Sequence, residues 1–283
     1  MAEDHDREKP TVLYKYLPTK IALKALPEGG GNGTLRATQP EALNDPLECA
    51  TRSKAIYATS KSEWTEMVRV LNSITPRKPL SAEDVEYLQQ QLGSQAWNEL
   101  FRRQLSQRFG VVSFSKLFNH PLLWAHYAES GAGVVIGYNV SELQKIATGN
   151  QRLDAVNYSS DPPFILAHRI FKDEKNLHAA LLTKATYWKF EKEWRLTLEL
   201  GNTSGTGDYD QRKYPINVCT IPNKAVKEVY ITERTPNDVV TKINNSLWSN
   251  NQYGTFKPEL LVLSLDEYGY EKSELDLSAT KSY

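Results

Sequence analysis

YWKFEKEWRLTLEL, Tyr187 to Leu200, alternates apolar and polar residues with a period of two, and the rest of the chain is best understood around it. One side carries Phe190, Trp194, Leu196, Leu198 and Leu200, with Lys192 as the single intruder. The other carries Glu191, Glu193, Arg195, Thr197 and Glu199. Successive side chains of a strand point to opposite faces, so the pattern predicts a half-buried strand. Its polar face aligns two carboxylates and a guanidinium. A Glu-x-Glu pair so placed is either solvated surface, with Arg195 as ion partner, or the acidic centre of a site that handles a developing positive charge.

Upstream, Thr11 to Leu17 predicts a first strand, Lys20 to Leu26 a short helix, and Thr34 to Thr38 a second strand. Asn44-Asp45-Pro46 forms a turn, with Glu48 just beyond it. Residues 61–108 change to helical spacing, as in Trp64, Val68 and Leu71, and predict a helical insert. Phe109 to Lys116 returns to strand, with Val112 and Phe114 on one side and Ser113 and Ser115 on the other. Pro121 suits the start of a short helix. Gly131 to Tyr138 is a near-continuous apolar run, expected to be a strand buried on both faces. Residues 164–186 are expected to be helical and 201–208 to form a hairpin-like loop. Strands at 217–221, 226–232 and 260–265 and a helix at 238–248 complete the chain. The mixture predicts an α+β fold with mixed, mainly antiparallel sheets. It is expected as one domain, residues 11–283, behind a disordered leader of residues 1–10.

Composition narrows the function. The 283 residues hold 34 Lys plus Arg against 34 Asp plus Glu, a net charge of zero. That argues against retention on duplex nucleic acid mainly by counterion release, while leaving room for a local basic groove. The two cysteines, Cys49 and Cys219, are far apart and read as free thiols in a reducing compartment. No apolar run approaches the roughly 20 residues of a spanning helix, and the polar start MAEDHDREKP is not a secretory signal. A cytoplasmic protein without a membrane partner is expected. Five scattered histidines without a cysteine pair predict no metal site.

The strands with polar faces occur in the order Tyr14-Lys15-Tyr16, Ser113-Phe114-Ser115, Glu191-Lys192-Glu193. Adjacent in a sheet, they would present Ser113, Ser115, Glu191 and Glu193 to one cleft. That set suits cleavage of an N-glycosidic bond, whose oxocarbenium-like transition state a carboxylate stabilises. The serines would hold the sugar, and Tyr14 and Tyr16 would stack on the departing aromatic base. His126, in a helical turn, is a further candidate for a ribose or phosphate contact, and Arg36 for a phosphate.

The segments LYKYLP, TLRATQPEALNDPLE, VVSFS, LLWAHYAESGAGVVIGY and WKFEKEWRL resemble a bacterial domain-of-unknown-function family, the one numbered twenty-nine seventy-one. A weaker resemblance links the chain to the ADP-ribosyltransferase superfamily. In arginine-modifying members an arginine on the first strand is followed by Ser-Thr-Ser on a middle strand and a later Glu-x-Glu. Ser113-Phe114-Ser115 and Glu191-Lys192-Glu193 match the second and third elements. The resemblance implies an ADP-ribosyltransferase-like fold and NAD as substrate. Glu193 would be the catalytic glutamate, Glu191 would activate the acceptor, and Ser113 with Ser115 would hold the nicotinamide ribose. TVLYKYLP lacks the first-strand arginine or histidine, so Lys15 or a tyrosine would take that place. The implied activity is an ADP-ribosyltransferase or NAD glycohydrolase acting on protein, nucleic acid or water. A bacterial toxin or phage-defence effector is the implied setting, with room for a neutralising partner.

Two other classes fit the same residues. Asp45, Glu48, Glu191 and Glu193 could hold a divalent ion in a metal-dependent nuclease. An aromatic cleft of this kind also suits a non-catalytic defence sensor or binding module.

Overall fold

The computed structural model describes residues 9–27, 29, 31–51, 62, 65, 69, 81, 83, 94–149, 151–163, 174–248, 259–266 and 269–273. It is an α+β protein built on one large, mainly antiparallel sheet. The strands of that sheet are β1 (Val12–Leu17), β3 (Phe109–Ser115), β4 (Val134–Asn139), β5 (Arg152–Ala155), β8 (Glu193–Glu199), β11 (Val226–Thr232), β12 (Glu259–Asp266) and β13 (Gly269–Ser273). Their order is β13-β12-β11-β4-β1-β3-β8-β5, and only β11 and β12 run parallel. A three-stranded sheet has the order β2-β10-β9, from Gly33–Arg36, Pro215–Ile221 and Ser204–Tyr209. β6 (Asn157–Ser159) and β7 (Thr183–Ala185) form a short parallel pair.

Strand alternation divides the core into two layers. Leu13 and Leu17 of β1, Val134 and Ile136 of β4, and Val229 and Ile231 of β11 share one cluster. Into it pack α1 (Thr19–Ala25), α4 (Val140–Ile146) and α6 (Asn237–Trp248). In α6 the packing residues Val239, Ile243 and Leu247 recur every four positions, the stripe an amphipathic helix turns inward. The intervening residues Tyr16, Val135 and Tyr230 belong to the second cluster, on the opposite face. That face is covered by α3 (Pro121–Tyr127) through Leu123 and Trp124. The run from Val134 to Tyr138 is buried on both faces, as its apolar sequence requires.

Several boundaries depart from the sequence expectation. Of residues 61–108, the continuous helix described is α2 (Ser94–Arg108); most of residues 61–93 lie outside the described residues, as do residues 1–8 of the expected leader. Residues 164–173 also lie outside them, and α5 (Glu174–Leu182) stops before β7, so 183–185 are strand and not helix. Residues 201–208 were expected as loop, yet Ser204–Tyr209 is the exposed edge strand β9. Its small polar residues carry no apolar face, and pairing with β10 alone makes it a strand. Among the described residues, no helix is long and apolar enough to cross a membrane.

Candidate functional site

The expected polar face of the Tyr187 to Leu200 strand is not a solvated surface. β8 begins at Glu193, and Arg195, Thr197 and Glu193 are 0%, 1% and 4% exposed. β3 and β5 flank β8 on its two edges, and both of its faces are covered. Glu191 does not belong to the strand: it ends a 3-10 turn, Thr186–Glu191, and Lys192 follows in the left-handed region at φ 45°. The break still leaves Glu191 and Glu193 aimed at one point, the ammonium of Lys184.

Lys184 Nζ lies 2.5 Å from Glu191 Oε2, 3.0 Å from Glu193 Oε2 and 2.9 Å from Glu48 Oε1. Arg195 closes the other side. Its Nε and Nη2 reach Glu193 at 2.7 and 3.1 Å, and Nη2 reaches Glu48 Oε2 at 2.7 Å. Its Nη1 donates to the Leu181 carbonyl at 2.7 Å, in the last turn of α5, where the helix dipole favours a cation. Three carboxylates thus face the two cations Lys184 and Arg195, and Lys15, a third cation at the cavity, balances the formal charge. Such burial is tolerated because every charge has a partner.

The two glutamates respond in opposite directions. Burial opposes the charge on Glu193, but Arg195, Lys184 and hydrogen bonds from Arg195 and Ser113 outweigh it and hold its carboxyl down at about 2. Glu191 is pushed up, first by burial and then by Glu193, against the pull of Lys184. Burial also disfavours the charge on Lys184, but Glu193, Glu48 and Glu191 reverse that and raise it. Tyr127 Oη donates to Glu191 Oε1 at 2.6 Å, and Asn44 Nδ2 donates to Tyr127 Oη at 3.3 Å.

These groups line a cavity of about 220 Å³. Its position follows from a gap in the sheet. The β1–β3 ladder consists of the single pair Tyr14↔Ser115, and the far end of β3 pairs instead with Thr38 through Val111. Between those contacts the Ser113 carbonyl has no ladder partner from β1, and Lys15 Nζ donates to it at 2.7 Å. Lys15 is half-buried, and burial lowers its ammonium to about 8 against the opposing pull of Glu193.

Of the residues expected at a site, Tyr14, Lys15, Tyr16, Ser113, Ser115, Glu191 and Glu193 all line this cavity. Their roles are more structural than the sequence suggests. Ser115 Oγ donates to the Glu191 carbonyl at 2.6 Å and accepts from Leu117 N at 3.0 Å, fixing the turn that carries Glu191. Tyr16 is a core residue whose hydroxyl donates to the Leu117 carbonyl. Tyr14 is half-buried, with its hydroxyl on Glu228 Oε2 at 3.0 Å.

His126 lies elsewhere. It sits on the exposed side of α3 with Leu122 and does not line the cavity. The inward side carries Leu123 and Tyr127, and Tyr127 is the α3 side chain that reaches the acidic cluster, through Glu191. Spacing does not separate the two, since Leu122 precedes His126 by four residues as Leu123 precedes Tyr127, and packing alone turns the Leu123 side inward. Arg36 is also displaced: it pairs with Asp210 at 2.7 Å, away from the cavity lining. Lys184 was missed because it was assigned to a helix. Asp45 is buried and held by the Trp188 indole at 2.7 Å, so it braces the turn and does not converge with the other acids. Among the described residues, no group of three or more His, Cys, Asp or Glu is arranged to hold a metal ion.

The model of a family described as "Protein of unknown function (DUF2971)" matches residues 123–196. The match runs from α3 into β8 and spans Tyr127, Lys184, Glu191, Glu193 and Arg195. The resembling segments before Leu123 lie outside it. No curated protein and no solved structure matches the chain.

Proposed function

We propose that this protein cleaves the nicotinamide–ribose bond of NAD and passes ADP-ribose to an acceptor or to water. The observation that carries the reading is the meeting of Ser113, Glu191 and Glu193 in one cavity. The ionised Glu193 carboxylate favours a cationic nicotinamide ring and the oxocarbenium that follows. A cavity of about 220 Å³ is small for a whole dinucleotide and suits its reacting half.

In this scheme nicotinamide departs with the pair of electrons from its bond to C1′. Glu193, ionised at ordinary pH, faces the cationic sugar. The acceptor supplies an electron pair to C1′ and loses its proton to Glu191, whose raised affinity suits a proton acceptor. Lys15 is the cation that β1 brings to the cavity, where the superfamily pattern has arginine or histidine.

The experiment is incubation with NAD labelled in the nicotinamide ring. Released nicotinamide that falls at least a hundredfold in Glu193→Gln supports the reading. No release from wild type, or equal release from a folded Glu193→Gln variant, sinks it.

A second reading rests on the two-point grip of Arg195 on Glu193. A carboxylate so fully engaged also suits a non-catalytic binding pocket. In that case NAD raises the melting temperature of the wild type without nicotinamide release.

A further inference from the structure

Among the charged side chains described at the cavity, Lys15 is the one that no opposite charge holds. Lys184 is shared by three carboxylates, and Glu191 is engaged by both Lys184 and Tyr127. Glu48 and Glu193 each meet Lys184 and Arg195. Lys15 Nζ instead has the Ser113 carbonyl as its partner, at 2.7 Å. One such bond leaves the rest of the amine turned to the cavity.

The fold fixes this amine in place. Lys15 lies in the middle of β1, opposite Ile136 in a ladder with β4 that runs the length of the strand. The titratable groups around its amine are Glu193 on β8, Cys219 on β10 and Glu191 on the turn. Burial outweighs their pull and brings the ammonium down to about 8. Cys219 is pushed up to about 11, also by burial, and stays a thiol. A part of Lys15 is therefore uncharged at ordinary pH, the form with an electron pair to donate.

The surroundings select what that pair can attack. An anion drawn to the ammonium would meet the ionised Glu193 carboxylate in the same cavity. An uncharged carbonyl compound meets no such repulsion, and the cation it forms with an amine gains from that carboxylate. The cavity, about 220 Å³, limits the compound to a few carbons or one sugar. We infer that Lys15 is a nucleophile that forms a Schiff base with a small aldehyde, either free or as an opened sugar. The ammonium gives one proton to Glu191, and the Nζ electron pair bonds to the carbonyl carbon. A second proton passes from nitrogen to the former carbonyl oxygen. That oxygen takes the proton back from Glu191 and leaves as water, while the nitrogen pair closes the C=N bond. One ammonium and one aldehyde thus give one iminium and one water. Glu191, pushed up by burial, suits a group that holds a proton between the two steps. The step needs neither NAD nor its cleavage.

The test incubates the full chain with glyceraldehyde or, in a second arm, with ribose. Cyanoborohydride is present in both, and its hydride turns an iminium into a stable secondary amine. Peptide mass spectrometry then locates the adduct. Lys15 should be modified about tenfold or more faster than the exposed Lys20, because an ordinary lysine ammonium keeps its proton to about 10.4. The preference should vanish in urea, where burial is lost. Lys15→Arg keeps the charge without the nucleophile, so it should lose one adduct per chain while exposed lysines react as before. A fast Lys15 adduct from glyceraldehyde supports a free aldehyde, and one from ribose supports an opened sugar. Modification of Lys15 no faster than Lys20 in both arms, or a preference that survives unfolding, overturns the inference. Nicotinamide release, measured separately, decides the proposed function and leaves this result unchanged.

Discussion

Arg195 grips Glu193 at two points, Nε to Oε1 at 2.7 Å and Nη2 to Oε2 at 3.1 Å, with both residues on one buried face of β8. The same guanidinium reaches Glu48 and the carbonyl of Leu181, so three parts of the chain, β8, the Glu48 turn and α5, meet on it. Arg195→Met keeps most of the volume but leaves Glu193 and Glu48 short of a cation. Removing one partner from a buried ion pair costs about 3–5 kcal/mol. Urea denaturation should show a loss of that size, and a loss under about 1 kcal/mol would show that the cluster is not what holds β8 to α5.

The pH dependence of stability follows from Glu193. Its folded carboxyl is lowered from 4.5 to about 2, so its contribution is present above 4.5 and is lost as pH falls towards 2. Thermal melts of wild type should therefore drop more steeply over that window than melts of Glu193→Gln. Parallel curves for the two would contradict the ion pairing.

Tyr127 tunes Glu191 through its 2.6 Å hydrogen bond to Oε1. Tyr127→Phe removes a bond that favours the charged carboxylate, so Glu191 should move further up. The acid limb of ADP-ribose transfer should then shift to higher pH, while nicotinamide release keeps its profile. A uniform loss of both activities with an unchanged pH profile would mean that Tyr127 serves packing alone.

Gly133, just before β4, joins the end of β1 to the end of α3. A Cβ there would lie 2.4 Å from the Leu17 carbonyl oxygen and 2.7 Å from the Ala128 carbonyl carbon, both backbone. Gly133→Ala should destabilise by about 1–3 kcal/mol, the usual cost of overpacking. Gly205→Ala, whose Cβ would meet only Asn217 Oδ1 at 3.7 Å, should be close to neutral by the same denaturation measurement.

The sequence was informative where side-chain period and burial agree. The apolar run through Val134 to Tyr138 and the Ser113/Ser115 alternation placed β4 and β3 correctly, and with them the mixed, mainly antiparallel class. It misled where polar residues are buried. Arg195 and Glu193 look like a wet strand face because alternation carries no sign of what lies beyond the strand. Among the described residues, Lys184 and Glu48, 9 and 145 residues from Glu193 in sequence, and the Leu181 carbonyl turn that face into an interior. Nor does spacing reveal that Lys192 is left-handed, since Glu191 and Glu193 share a side in either geometry. His126 drew attention by its chemistry, and since Leu122 and Leu123 stand equally four residues before His126 and Tyr127, only packing shows that the Tyr127 face is the inward one.

Nicotinamide release from NAD bears on all of this, because every role given to Ser113, Glu191 and Glu193 presumes that bond. Wild-type protein should release nicotinamide, and a Glu193→Gln variant that still melts cooperatively should release it at least a hundredfold more slowly. A wild-type protein that leaves NAD intact, or a folded Glu193→Gln variant that cleaves it at the wild-type rate, would contradict the assignment.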